Sequence, residues 1–167
     1  LGLHFFDLAF EQLRAHGSIQ LEAEGKNAGC WVMPLADTPE FQGLEDPDKV
    51  IVRSDGTVTY VGKDIAYQLW KFGLLGQDFY YRLWKRYPEG HPVYVSSSDP
   101  AEAAPAGEVS FGAGKRVYNV IDSRQSYLQD VVVAGLRALH YEEAAENSIH
   151  FAYEMVALSP RCCADLG

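Results

Sequence analysis

Between Leu3 and His16 apolar residues return at Phe6, Phe10 and Leu13, the spacing of one helix face, and Gly17 stands where a left-handed cap would end the helix. The period then changes. From Ser18 to Glu24, Ile19, Leu21 and Ala23 alternate with polar neighbours; Gly25 to Gly29 turns the chain, and Cys30 to Met33 returns as the second arm of a predicted hairpin. Residues Asp37 to Asp48, rich in Pro, Gly and acids, predict a loop into a short strand of buried character at Lys49 to Arg53. The turn residues Ser54-Asp55-Gly56-Thr57 then predict another hairpin, with its return strand at Val58 to Val61. A helix should start near Gly62 or Lys63, because Ile65, Leu69 and Phe72 fall at i, i+4 and i+7, with Gly73 or Gly76 ending it.

Beyond this helix, Asp78 to Tyr87 is dense in aromatics and is expected to add a helical turn or two, and Pro88 to Gly114 has the Pro, Ser, Ala and Gly content of a long loop or small insertion. A strand at Lys115 to Ile121 leads at once into an amphipathic helix with Leu128, Val131, Val132, Gly135, Leu136 and Leu139 on one face. A further strand-like run covers Ser148 to Leu158. The order strand, helix, strand predicts a right-handed crossover onto a parallel sheet. The fold class is therefore α/β. The sequence has no internal repeat and no charge block.

Composition narrows the class. At 167 residues the chain fits one compact unit, and with 47% hydrophobic, 13% aromatic and 22% charged residues it can bury enough apolar surface to fold. No apolar run approaches the ~20 residues of a membrane-spanning helix, and Leu1 to Phe5 lack the basic start of a signal peptide, so a soluble, cytoplasmic protein without membrane contact is expected. Cys162 and Cys163 are adjacent and Cys30 is far away, which predicts reduced thiols and neither a disulfide framework nor a metal site. The formal charge of −9, from 14 basic and 23 acidic residues, disfavours a chain that grips a phosphate backbone by itself. With no initiator Met, and an end at Gly167 just after a helical pattern begins, the chain is expected to be a piece of a longer one.

In open α/β sheets, ligands sit beyond the carboxyl ends of strands. Three segments suit that place. In Ser54 to Ala66, Tyr60 and Asp64 are one helical turn apart and could face one pocket if the helix begins early enough, with the carboxylate suited to pairing a guanidinium. The plainer use of Asp64 is as an anion in a first helical turn. In Val117 to Gln125 a predicted strand ends at Asp122-Ser123-Arg124-Gln125, where capping by Asp122 or Ser123 is the commoner role. In His150 to Val156 polar and aromatic residues alternate, and a lone His at a strand edge is more often structural than catalytic.

Taken in order, these segments resemble arginyl-tRNA synthetases, class I synthetases with a nucleotide-binding fold. The run Val52 to Tyr60 followed by Asp64-Ile65-Ala66 looks like that family's strand, Asp-Gly-Thr turn, Tyr and Asp-Ile-Ala. Asp122-Ser123-Arg124-Gln125 is similar to its Asp-x-Arg-Gln segment, and His150, Tyr153, Met155 and Val156 match its His-x-x-Phe/Tyr-x-Met-Val strand. The resemblance implies a partial Rossmann-like parallel sheet with flanking helices and β-hairpin decorations, residues 1–167 being a fragment of the catalytic domain with 88–114 as a loop or small insertion. It implies that Tyr60, Asp64 and Gln125 line the arginine pocket, that Asp122 shapes it, and that Met155 and Val156, on a strand with His150, border the adenine of ATP. The intact enzyme would attach arginine to its tRNA using ATP and Mg2+, the tRNA held mostly by parts outside these residues.

The family's His-x-Gly-His-type segment and Lys-Met-Ser-Lys-type loop, where cationic groups stabilise the reacting phosphate, do not occur here. No catalytic residue or bound cofactor is therefore expected in this piece alone. Gly112-Ala113-Gly114-Lys115 is no phosphate loop, since Arg116 replaces the needed Ser or Thr and a strand follows. Trp84-Lys85-Arg86 is the one mildly basic aromatic spot and is expected to be solvated surface. Two rival readings stand: a free-standing module that binds arginine or a protein without catalysis, and another enzyme using Asp64 and His150 as acid and base.

Overall fold

The computed structural model describes residues 3–104 and 109–166. Helix α1 covers Phe5–Ala15, and Gly17, at φ +69, ends it as expected. Strands β1 (Gln20–Leu21), β2 (Trp31–Met33) and β3 (Lys49–Val52) form one antiparallel sheet in the order β1-β2-β3, so the predicted hairpin gains a third strand.

Helix α2 spans Tyr60–Lys71 and begins two residues before the expected start. The return strand foreseen at Val58 to Val61 is reduced to an isolated bridge between Val58 and Val52. Thr59 explains the difference. Its hydroxyl donates to the carbonyls of Val50 (2.9 Å) and Ile51 (3.1 Å) in β3, and the same oxygen accepts the backbone N–H of Gly62 at 3.3 Å. An N-cap tied to a strand overrides the β-branched and aromatic preference of Val58 to Val61. Gly62 permits the close approach that follows: a Cβ there would stand 3.0 Å from the Ile51 carbonyl oxygen and 3.0 Å from the Phe6 ring.

One expectation fails in the next stretch. Asp78 to Tyr87 is not helical; β4 (Tyr80–Arg86) pairs antiparallel with β5 (Pro92–Ser97), which lies inside the stretch expected to be a loop or small insertion. Pairing between two neighbouring strands, invisible to composition alone, decided the conformation. Residues 105–108 of that stretch lie outside those described.

Strand β6 (Val117–Asp122), a 3-10 turn (Ser123–Gln125), α3 (Ser126–Ala138), α4 (Glu142–Glu146) and β7 (Ser148–Tyr153) form the expected crossover, with β6 and β7 parallel and Val117 opposite Ser148. Helix α5 covers Pro160–Leu166. The fold is thus mixed α/β, and its described parallel sheet has two strands. Strand β7 stops at Tyr153, so Met155 and Val156, expected on a strand, lie beyond it.

One apolar cluster joins α1, the antiparallel sheet, α2, α3 and α4, with Leu13, Met33, Ile51, Ile65, Leu69, Val131 and Leu136 among its buried members. Helix α2 packs against α1, β3 and α3. At Gly135 of α3, a Cβ would meet the Ile65 side chain at 3.0 Å, so the glycine lets α2 and α3 close on each other. None of the described helices is long and apolar enough to cross a membrane.

Candidate functional site

Because α2 starts at Tyr60, Tyr60 and Asp64 are separated by one turn of the same helix and share a face. This is the early start on which their pairing depended. Tyr60 is 83% exposed, with the Lys63 ammonium 5.5 Å from its ring centroid. Asp64 is open to solvent at the surface, yet its surroundings raise the carboxyl above its ordinary value by desolvation, while Lys71 pulls it down. Lys71 in turn is lowered by burial, and Asp64 opposes that shift.

The stripe of α2 that carries Asp64 continues through Gln68 and Lys71, at i+4 and i+7, and these two bind the parallel pair. Lys71 donates to Asn119 Oδ1 at 2.8 Å and to Gln68 Oε1 at 3.3 Å. Asn119 donates to Gln68 Oε1 at 3.4 Å, and Gln68 donates to Ser148 Oγ at 2.7 Å. Gln68 and Asn119 are buried, so the network replaces water for every polar group it encloses. This network was not among the chemistry-bearing segments expected from the sequence. Its signal was Asn119, a polar residue at an inward position between Val117 and Ile121 in an alternating strand.

At the carboxyl end of β6, Asp122 Oδ1 accepts the backbone N–H of Arg124 (2.9 Å) and its Nε (2.9 Å), and Oδ2 accepts Nη2 at 2.7 Å. These bonds hold the Asp122 carboxyl down at about 2. Gln125 follows at the junction of the 3-10 turn and α3, exposed. Asp122, Ser123, Arg124, Glu154, Met155 and Val156 line one open cavity of about 460 Å³. It lies just past the ends of β6 and β7, where open α/β sheets receive ligands. The fold therefore brings Asp122 together with Met155 and Val156, which are 84% and 86% exposed. Tyr60, Asp64, Gln125 and His150 do not line that cavity.

His150 belongs to the sheet's interior side. It donates from Nε2 to the Ile121 carbonyl at 2.9 Å, a cross-strand bond that ties β7 to β6. The carboxylate that feels its charge is Asp130 in α3, raised chiefly by burial and then by Glu40, with His150 pulling it down. His150 and Asp64 form no hydrogen bond with each other among the described residues, and His150 Nε2 is engaged by the Ile121 carbonyl. No group of three or more His, Cys, Asp or Glu suited to a metal ion occurs among the described residues.

No family model matches the chain. Individual proteins do. It is 40% identical over 159 residues to an arginine–tRNA ligase of Deinococcus radiodurans, covering 95% of this chain and 25% of that protein. It is 39% identical over 151 residues to that of Thermococcus sibiricus, covering 90% and 22%. Among solved structures, Thermus thermophilus arginyl-tRNA synthetase superposes with a TM-score of 0.72 at 35% identity, over 91% of this chain and 24% of that one. The chain spans about a quarter of the length of the curated relatives it matches.

Proposed function

From the kinship of this chain with a segment of arginine–tRNA ligases, we propose that it supplies part of the arginine pocket of such an enzyme. The observation that carries this reading is the placement of Tyr60 and Asp64 on one face at the start of α2, inside the stretch of similarity. The Asp64 carboxylate pairs the substrate guanidinium, the Tyr60 phenol borders it, and Gln125 reaches the same amino acid from the first turn beyond β6. Asp122 acts indirectly, since Arg124 occupies both of its oxygens and fixes the turn that presents Gln125.

In the intact ligase, arginine is activated with ATP and Mg2+ and passed to tRNA in the cytoplasm. Met155 and Val156, in the cavity past the strand ends, take the adenine side of ATP. The two-stranded parallel sheet is then part of a larger Rossmann-like sheet. Its outward side chains, Tyr118, Val120 and Phe151, are exposed, whereas parallel sheets are ordinarily covered on both faces. The family's two ATP-activating segments are absent from these 167 residues, so the chain alone should bind arginine without turning it over.

Calorimetric titration with arginine, on protein shown by circular dichroism to be folded, tests the reading. Saturable heat is expected, with an affinity that Asp64→Asn weakens by about 10- to 100-fold; no heat from the wild-type chain would count against a preformed pocket.

A further inference from the structure

The β4–β5 hairpin reverses the charge of the molecule locally. Between Tyr80 and Ser97 it carries Arg82, Lys85 and Arg86 against a single acid, Glu89, in a chain of net charge −9. Arg82 is engaged by Glu102 at 3.3 Å. Lys85 and Arg86 have no carboxylate partner among the described residues.

The ladder register adds a second observation. Leu83 faces Tyr94 and Lys85 faces Val93, so Trp84 is the extra, unpaired residue of a β-bulge. Bulges re-aim side chains. Trp84 is 64% exposed, and the Lys85 ammonium sits 4.8 Å from its ring and 5.0 Å from that of Tyr87. The root of the ribbon is fixed, because Asp78 Oδ1 accepts from Trp70 Nε1 (2.8 Å), Tyr81 Oη (2.7 Å) and Phe79 N (2.7 Å). The Tyr81 ring also meets Phe111 edge-on at 4.9 Å. Among the described residues, Arg86 Nη1 donates only to the Gly90 carbonyl at the hairpin turn, at 3.2 Å. A ribbon anchored to α2 thus presents two cations without carboxylate partners and an outward indole to solvent.

Cations beside an exposed aromatic are what a flexible nucleic-acid segment requires: phosphates pair with the cations, and every base has a face that stacks. An acidic surface elsewhere repels a polyanion, which leaves this ribbon as the place where contact is tolerated. We propose that β4–β5 is an RNA-contacting ribbon, Lys85 and Arg86 taking phosphates and Trp84 stacking on a base. This rests on the reading of the chain as part of an arginine–tRNA ligase, which makes tRNA the RNA in question.

The test uses the intact ligase carrying this segment and fluorescence anisotropy with a labelled transcript of its tRNA. Lys85→Glu combined with Arg86→Glu should weaken binding by roughly tenfold or more and flatten the dependence of log Kd on log salt by roughly one to two. Trp84→Ala should weaken it by roughly five- to a hundredfold, with Trp84→Phe restoring most of the loss. Arginine affinity, read by calorimetry, should stay within about twofold. Unchanged tRNA affinity in the charge-reversed and Trp84→Ala proteins, with wild type binding both ligands, overturns the ribbon alone, and loss of binding to another protein in those variants would then assign it to that partner. A wild-type protein that binds neither arginine nor tRNA overturns the functional reading as well.

Discussion

Lys71 donates a 2.8 Å hydrogen bond to Asn119, joining the last turn of α2 to the middle of β6. Through Gln68 the same network reaches Ser148 in β7, so the helix that bears Asp64 is tied to both parallel strands by buried polar groups. Such groups act as a register lock: any axial slip of α2 would leave acceptors without donors in the interior. Lys71→Met leaves Asn119 Oδ1 without its donor and Gln68 Oε1 with Asn119 alone, and should destabilise the chain by about 1–3 kcal/mol in urea denaturation.

Asp64 should titrate above its ordinary 3.8, because desolvation exceeds the opposing pull of Lys71. The folded state then holds that proton more tightly than the unfolded state. Its contribution to stability therefore declines as pH rises from 3.8 through the folded value. Carboxyl carbon chemical shifts followed against pH should show the raised midpoint, and Lys71→Met should raise it further.

The proposed arginine binding should run in the opposite sense, since only the carboxylate pairs a guanidinium. Affinity should fall on acidification through the Asp64 midpoint, and binding there should release a proton, detectable by calorimetry in buffers of different ionisation enthalpy. At neutral pH, Asp64→Asn should weaken binding by about 10- to 100-fold, the worth of a hydrogen bond to a charged group.

Arg124→Met should return Asp122 from about 2 toward the usual carboxylate range. A depressed carboxyl contributes stability that is full above its unfolded value and is lost as pH falls through the folded one. The variant should therefore be the less stable protein at neutral pH and converge on the wild type as pH falls below about 4. Thermal unfolding at pH 7 and pH 2 compares the two proteins, and their difference should be larger in the neutral sample and shrink in the acid one.

Gly62→Ala should destabilise although alanine favours helices, because its Cβ would meet the Ile51 carbonyl, a backbone atom that cannot turn away. A loss of about 1–3 kcal/mol is expected from denaturant midpoints, and Gly135→Val, pressed on Ile65, should lose a similar amount. Either variant at wild-type stability would contradict the close packing around α2.

Much of the architecture was legible where a pattern is local. The helix faces of α1 and α3, the cap at Gly17, and the strand, helix, strand order of β6, α3 and β7 follow from periodicity, since burial of one face imposes the period on the sequence. The hairpin β4–β5 was illegible because its stability comes from cross-strand partners, Arg86 with Pro92 out to Tyr80 with Ser97, and from Asp78 clamping Trp70 and Tyr81.

The candidate site divides in the same way. Tyr60, Asp64, Asp122 and Gln125 stood out as residue types in an ordered motif, and identity at 40% to an arginine–tRNA ligase places the chain beside the family that motif suggested. The sequence by itself determined which faces are apolar and offered the residue types proposed to carry chemistry. Tertiary structure decided where α2 begins, through the Thr59 hydroxyl bonded to β3 carbonyls, and what holds Asp64 in place, through Lys71 on Asn119. Propensity acts along the chain, whereas a cap or a buried network takes its energy from groups that only the folded backbone brings within hydrogen-bond reach.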